Sequence, residues 1–186
     1  MILTDAIEFA AKCHEGQLRK GTDIPYMVHP MEACAIAATI TSDQEVLAAA
    51  VLHDVAEDCR VTIQELKDRF GNRVAALVAA ESELKEDDAE GSWIRRKQHT
   101  IDKLQGACGD ELIVTMADKL SNIRAICRDY EKLGDGLWER FNQQDMRMQA
   151  WYYQSIRDKL VRLGDSAAFS EYSVLVDRVF STLETD

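Results

Sequence analysis

Residues 46–58 read Val46-Leu47-Ala48-Ala49-Ala50-Val51-Leu52-His53-Asp54-Val55-Ala56-Glu57-Asp58. The run follows Ser42-Asp43-Gln44-Glu45, a capping-box pattern that opens a helix. With His53 at the origin, Asp54, Glu57 and Asp58 fall at about 100°, 40° and 140°, within one sector narrower than half the helix. Apolar residues occupy the rest of the circumference, and a helix apolar on nearly all sides is a core helix. Three carboxylates and an imidazole carried into a core are costly unless compensated. A divalent cation supplies the countercharge and takes imidazole nitrogen and carboxylate oxygen as ligands. The competing reading leaves the sector in solvent at a helix end, where the carboxylates still oppose the macrodipole.

Helical periodicity extends from this run through the rest of the chain. Thr4 suits the cap of a first helix with Ile7, Ala10, Ala11, His14 and Leu18 on one face. A polar loop, Gly16 to Tyr26, precedes a helix whose first turn accommodates Pro30 and which runs to about Ile40. Thr62-Ile63-Gln64-Glu65 is a second capping box, for a helix ending at Gly71, and Asn72 suits the cap of the next, to about Leu84. An acidic loop, Glu86 to Gly91, leads to helices predicted at 93–104, 111–133, 137–163 and 167–183. No hairpin signal or internal repeat stands out. The expected fold is all-α and compact, a bundle of about eight helices in one domain spanning 1–186, with a core at 6–165 and a C-terminal helix at 166–183.

Composition agrees with that picture. The chain has 186 residues, 46% hydrophobic and 30% charged, with only 2 Pro and 9 Gly, too few turn formers for an all-β protein. Its net charge of −11 argues against nucleic acid or an anionic membrane surface as partner. A local basic pocket can still receive an anionic small molecule. The cysteines, Cys13, Cys34, Cys59, Cys108 and Cys127, are odd in number and contain no C-x-x-C, which points to thiols in a reducing cytoplasm rather than disulfides or a thiolate zinc site. The longest apolar runs have about seven residues, against the roughly 18 a membrane span needs, and no signal peptide is visible.

Histidine is scarce: His14, His29, His53 and His99. His29 stands in Pro25-Tyr26-Met27-Val28-His29-Pro30 at a helix entrance. Asp118 stands inside an apolar stripe, in Ala117-Asp118-Lys119-Leu120-Ser121-Asn122-Ile123-Arg124. A charged residue in such a stripe is rarely buried without a partner, although each residue alone also fits an ordinary structural role.

Together the segments resemble the HD-domain metal-dependent phosphohydrolases, with a His, a His-Asp pair and a later Asp in order. Arg19-Lys20, the Pro25–Pro30 segment, His53-Asp54-Val55-Ala56-Glu57-Asp58 and Ala117–Arg124 are more particularly similar to the hydrolase domain of RelA/SpoT alarmone enzymes and to the stand-alone small alarmone hydrolases. The resemblance covers roughly residues 6–165. It implies His29, His53, Asp54 and Asp118 as ligands of one Mn²⁺, and Glu57 and Asp58 as the catalytic acidic pair. It implies that Arg19 and Lys20 serve the purine and phosphates, and that Asn122 and Arg124 contact substrate. Lys119 is a further cation available to the substrate, and an aromatic closing on the ribose falls near Trp151, Tyr152 or Tyr153. The implied substrate is guanosine tetra- or pentaphosphate, cleaved to pyrophosphate and GDP or GTP. One departure is Ala125, where family members often carry Thr.

The residues agree with that chemistry: Glu57, a turn beyond His53, suits a proton acceptor from an attacking water. Another nucleotide or a phosphorylated cofactor is the alternative substrate, and a non-catalytic nucleotide sensor the alternative class. A two-metal phosphodiesterase would need further ligands, with only His14 and His99 to spare. A ferritin-like di-iron bundle needs Glu-x-x-His, which does not occur. The length leaves no room for an alarmone synthetase, so hydrolysis alone is expected.

Overall fold

The computed structural model describes residues 1–82 and 92–181. The expected acidic loop Glu86 to Gly91 and the end of the last helix at Leu183 lie outside them. Among the described residues the structure is helical, with no strand beyond an isolated Leu18–Pro25 bridge. The α-helices are α1 (Ile2–Cys13), α2 (Val28–Ala37), α3 (Gln44–Leu52), α4 (Val55–Asp58), α5 (Ile63–Phe70), α6 (Asn72–Glu81), α7 (Ser92–Leu104), α8 (Gly109–Leu133), α9 (Met146–Leu160) and α10 (Ala167–Phe180).

Two helices organise the core. Every residue of α3 from Val46 to Leu52 is buried, and α3 packs against α1, α2, α6 and α8. The longest helix, α8, packs on α2, α3, α6, α9 and α10, with Leu112, Met116, Leu120 and Ile123 on its inner face. The apolar area thus removed from water is the main favourable term of the fold.

Among the described residues the helices depart from the expected pattern chiefly at two places. The run through Asp58 is not one helix. It ends at Leu52, His53 forms the C-cap, and Asp54 caps the four-residue α4. The ideal 100° wheel therefore fails from Asp54 onward. A local cause is visible in the His53 ring, whose Nδ1 donates to the Ala50 carbonyl at 2.8 Å, the kind of side-chain competition that ends a regular ladder. Likewise the helix expected over 137–163 begins only at Met146. Gly134–Arg140 is 3₁₀, Phe141 is extended, and Asp145 caps α9 by accepting from the Arg147 amide.

The capping details divide. Thr62 and Glu65 form the expected capping box, whereas α3 is capped by Asp43 rather than Ser42, and α6 by Gly71 rather than Asn72. Thr4 lies inside α1, which starts at Ile2.

Candidate metal centre and adjoining cavity

Three separate segments converge. The N-terminal turn of α2 carries His29, the break after α3 carries His53 and Asp54, and the middle of α8 carries Asp118. His29, His53 and Asp118 are buried, with ligand atoms within 4.8 Å of one another. His53 Nε2 lies 3.2 Å from His29 Nε2, 3.0 Å from Asp54 Oδ2 and 3.6 Å from Asp118 Oδ1. His29 Nε2 lies 3.5 Å from Asp54 Oδ2 and 3.1 Å from Asp118 Oδ1. Two donors each about 2.1 Å from one ion are separated by about 3.0–3.5 Å, close to the 3.0–3.6 Å found here.

The chemistry of the donors also fits a cation. His53 Nδ1 gives its hydrogen to the Ala50 carbonyl, so Nε2 is the nitrogen that faces inward, toward His29 Nε2. Burial alone would push the His53 imidazole down, but the Asp54 and Asp118 carboxylates outweigh it and hold the pKa well above the usual histidine value. Burial would likewise raise Asp54 and Asp118. Instead His53 and His29 hold Asp54, and Lys119 and the two histidines hold Asp118, well below the carboxylate range. Imidazole nitrogen and carboxylate oxygen are ligand types that suit a divalent transition metal; His29, His53 and Asp118 meet at mutual ligand distances, and Asp54 adjoins both histidines.

Neighbouring side chains orient the donors. Tyr26 donates to Asp54 Oδ2 at 2.7 Å, and burial together with Asp54 keeps its phenol protonated. Asn122 donates to Asp118 Oδ1 at 2.5 Å, and Lys119 Nζ contacts Asp118 Oδ2. Such partners fix ligand orientation and basicity.

A cavity of about 140 Å³ opens on the cluster, lined by Asp54, Glu57, Asp118 and Lys119 among others. A larger one of about 300 Å³ adjoins it, sharing Arg19, Tyr26, His29 and Asn122. Its walls carry the cations Arg19, Lys20, Arg128 and Arg140, the last two paired with Asp129, together with Glu32 and the apolar surfaces of Leu137, Phe141 and Tyr153. Arg19 reaches it because Leu18 and Pro25 pinch the loop, with the Arg19 amide on the Ile24 carbonyl at 2.8 Å. Gly21, at φ +71°, turns that loop, and a Cβ there would lie 2.7 Å from Arg140 Cδ. Arg19 donates to Asn122 at 2.8 Å and Lys20 to Asn142 at 2.7 Å.

The residues singled out from sequence fall into distinct places. Glu57 lines the small cavity. Asp58 does not, and burial and the Asp54 charge raise its carboxyl pKa. Lys119 is in the metal pocket, paired with Asp118 and with Glu81 at 3.2 Å. Arg124 lines neither cavity and is engaged by Glu171 and Glu32. Trp151 and Tyr152 pack against Trp93, with ring centroids 6.3 and 6.1 Å away, and line neither cavity. Tyr153 is the aromatic of that trio on the larger cavity's wall. His14 stacks on Tyr26 at 4.8 Å and bonds Gln17, supporting the site from behind.

Sequence reasoning missed Glu81. It ends α6, lines the metal pocket, and accepts from Thr115 at 2.7 Å. No local signal marks it, because its partners are over thirty residues away in α8.

A helical fold with converging His, His-Asp and Asp donors defines a metal-site class, and comparison with known proteins specifies it. The HD domain family matches residues 6–143, and the chain belongs to that family. Among curated relatives, the chain is 33% identical over 124 residues to a guanosine-3′,5′-bis(diphosphate) 3′-pyrophosphohydrolase of Aquifex aeolicus, and 32% identical over 130 residues to a GTP pyrophosphokinase of Myxococcus xanthus. The matches take in 65% and 67% of this chain but only 17% of each relative, so the similarity reaches one part of much longer proteins. Among solved structures, a Listeria monocytogenes EGD-e protein superposes with TM-score 0.74 at 30% identity, covering 82% of this chain and 99% of that one. A metazoan ortholog of SpoT that hydrolyzes ppGpp gives TM-score 0.74 at 24% identity, over 98% and 95% of the two chains, a likeness of fold.

Proposed function

We propose that this HD domain is a metal-dependent phosphohydrolase. It removes the 3′-pyrophosphate of guanosine tetra- or pentaphosphate, giving pyrophosphate and GDP or GTP. The carrying observation is the continuity of the donor cluster with a cation-walled, partly aromatic cavity through Arg19, Tyr26, His29 and Asn122. That combination suits a nucleotide bearing several phosphates, and the activities named for the relatives support the choice. His29, His53, Asp54 and Asp118 would hold one Mn²⁺. Such an ion lowers the pKa of water and polarises phosphoryl oxygen.

The chain's own groups do the rest. Glu57, on the wall of the small cavity, takes the proton of the attacking water. The water oxygen joins the phosphorus attached to the ribose 3′ oxygen, the bond from phosphorus to that oxygen breaks, and the oxygen leaves as the nucleotide hydroxyl, taking up the proton Glu57 received. Asp58 completes the acidic pair with Glu57, hydrogen-bonded by Tyr26 and repelled by the Asp54 charge. Arg19 and Lys20 neutralise phosphate charge within an otherwise acidic protein. Tyr153 offers a flat apolar wall to the nucleoside. A soluble hydrolase domain acting in the cytoplasm completes this reading.

Ala125 lines the larger cavity without the hydroxyl of its frequent family counterpart, so a second nucleotide remains the alternative substrate. Phosphorus NMR of products with Mn²⁺ and guanosine tetraphosphate decides between them. Pyrophosphate release supports the proposal. Orthophosphate alone, or turnover only of another nucleotide, refutes it. In the same assay His53→Ala should lose bound metal and turnover together while helical content is retained.

A further inference from the structure

We propose that Glu32 and Arg124 are positioning residues for the metal centre: through Ser121 they hold a hydrogen on His29 Nδ1 and so keep Nε2, which faces the donor cluster, as the nitrogen that binds the cation. The inference rests on the metal-centre reading above and deepens it.

The two histidines of the cluster are oriented by different devices. His53 uses a backbone carbonyl, that of Ala50. His29 Nδ1 instead lies 2.8 Å from Ser121 Oγ, a hydroxyl that can either donate or accept. A hydroxyl by itself selects no tautomer. The selection comes from the next partner: Ser121 Oγ donates to Glu32 Oε2 at 2.7 Å. An ionised carboxylate only accepts, so the one hydroxyl hydrogen is committed to Glu32. Ser121 can then only accept from the ring, and His29 Nδ1 must carry the hydrogen. The ring's other nitrogen, Nε2, faces the cluster, 3.2 Å from His53 Nε2 and 3.1 Å from Asp118 Oδ1, and is the one left to bind a cation in place of hydrogen.

Glu32 is held in turn. Its other oxygen, Oε1, accepts from Arg124 Nη1 at 3.1 Å, so hydroxyl and guanidinium together set the carboxylate plane. Arg124 is itself gripped in a fork by Glu171 of α10, Nε at 2.7 Å and Nη2 at 2.6 Å. The relay therefore runs Glu171, Arg124, Glu32, Ser121, His29, linking α10, α8 and α2. Glu32 and Arg124 side chains are each 35% exposed, so their charges are screened and hydrogen-bond direction is what they contribute. Arg124 lines neither cavity, which leaves its sequence-expected substrate contact without a place and this role in its stead.

The test reads the tautomer and the metal without substrate. Long-range ¹H–¹⁵N correlation spectra of metal-free protein should show His29 with hydrogen on Nδ1. In Glu32→Gln, the amide can donate to Ser121 and turn its hydroxyl toward the ring. His29 should then shift toward the Nε2–H form, and the Mn²⁺ dissociation constant, from chelator competition, should rise roughly 10–100-fold. Arg124→Gln should move both readouts in the same direction by less. Circular dichroism checks that both variants stay folded. Unchanged His29 tautomer in both variants would overturn the relay, as would wild-type Mn²⁺ affinity in Glu32→Gln. If wild-type protein shows the Nδ1–H form yet binds no Mn²⁺, the metal-centre reading fails instead.

Discussion

Replacing Lys119 by methionine should destabilise the protein strongly, and the cost should be smaller when Glu81 has already been neutralised. Lys119 and Glu81 side chains are only 11% and 8% exposed, and their charged atoms lie 3.2 Å apart. At an effective dielectric of 20 that separation corresponds to about 5 kcal/mol of attraction, offset by the desolvation of both ions. Lys119 also contacts Asp118, so one ammonium serves two buried carboxylates. Burial pushes the Glu81 carboxyl pKa up and Lys119 pulls it down, while the flanking carboxylates overcome burial and hold Lys119 charged. Lys119→Met leaves both carboxylates without their cation, which costs roughly 3–5 kcal/mol. Glu81→Gln leaves Lys119 paired with Asp118 and should cost about 1–2 kcal/mol, the penalty of one disturbed buried hydrogen bond. In the Glu81→Gln background, Lys119→Met should then cost about 2 kcal/mol less than in wild type, a coupling within the range for contacting residues. Urea denaturation of all four proteins with chelator at pH 7 measures the cycle. Equal Lys119→Met penalties in the two backgrounds would refute the shared-charge account.

Other consequences can be checked separately. Glu57→Gln keeps shape and removes the proton acceptor, so turnover should fall by roughly 10²–10⁴-fold while Mn²⁺ content is unchanged; lost metal, rescued by excess Mn²⁺, would make Glu57 a ligand instead. Burial and the Asp54 charge raise the folded pKa of Asp58 above its unfolded value. The carboxyl therefore favours the fold most below the unfolded pKa, and that contribution is lost as pH rises through the folded pKa. Asp58→Asn should accordingly raise the melting temperature of metal-free protein at pH 7 and change it little near pH 3; an equal change at both pH values would contradict the sign. Asp43 caps α3 through the Glu45 amide at 2.9 Å and also meets Arg73 at 2.8 Å. Asp43→Ala should cost about 1–2 kcal/mol in urea denaturation, and a loss below 0.3 kcal/mol would show that the cap is idle.

Periodicity and composition were enough to read an all-α fold, because a 3.6-residue apolar repeat and scarce Pro and Gly are properties of the chain itself. The converging polar cluster was legible for a related reason: His53-Asp54 in a wholly apolar run, and Asp118 in an apolar stripe, are residue types whose burial is too costly to occur without partners. Helix ends were less legible. The stop at His53 depends on a ring–carbonyl bond, and the late start of α9 on which of several polar residues caps it. Three-dimensional packing alone decided the supporting cast. Glu81 joins the site only because α6 packs on α8, and Arg124 turns from the cavities to Glu32 and Glu171 only because α2 and α10 flank it there. A side chain's type states what it can bind, but its partner is whichever group the fold brings within about 3 Å, and across tens of residues that is fixed by helix packing rather than by spacing.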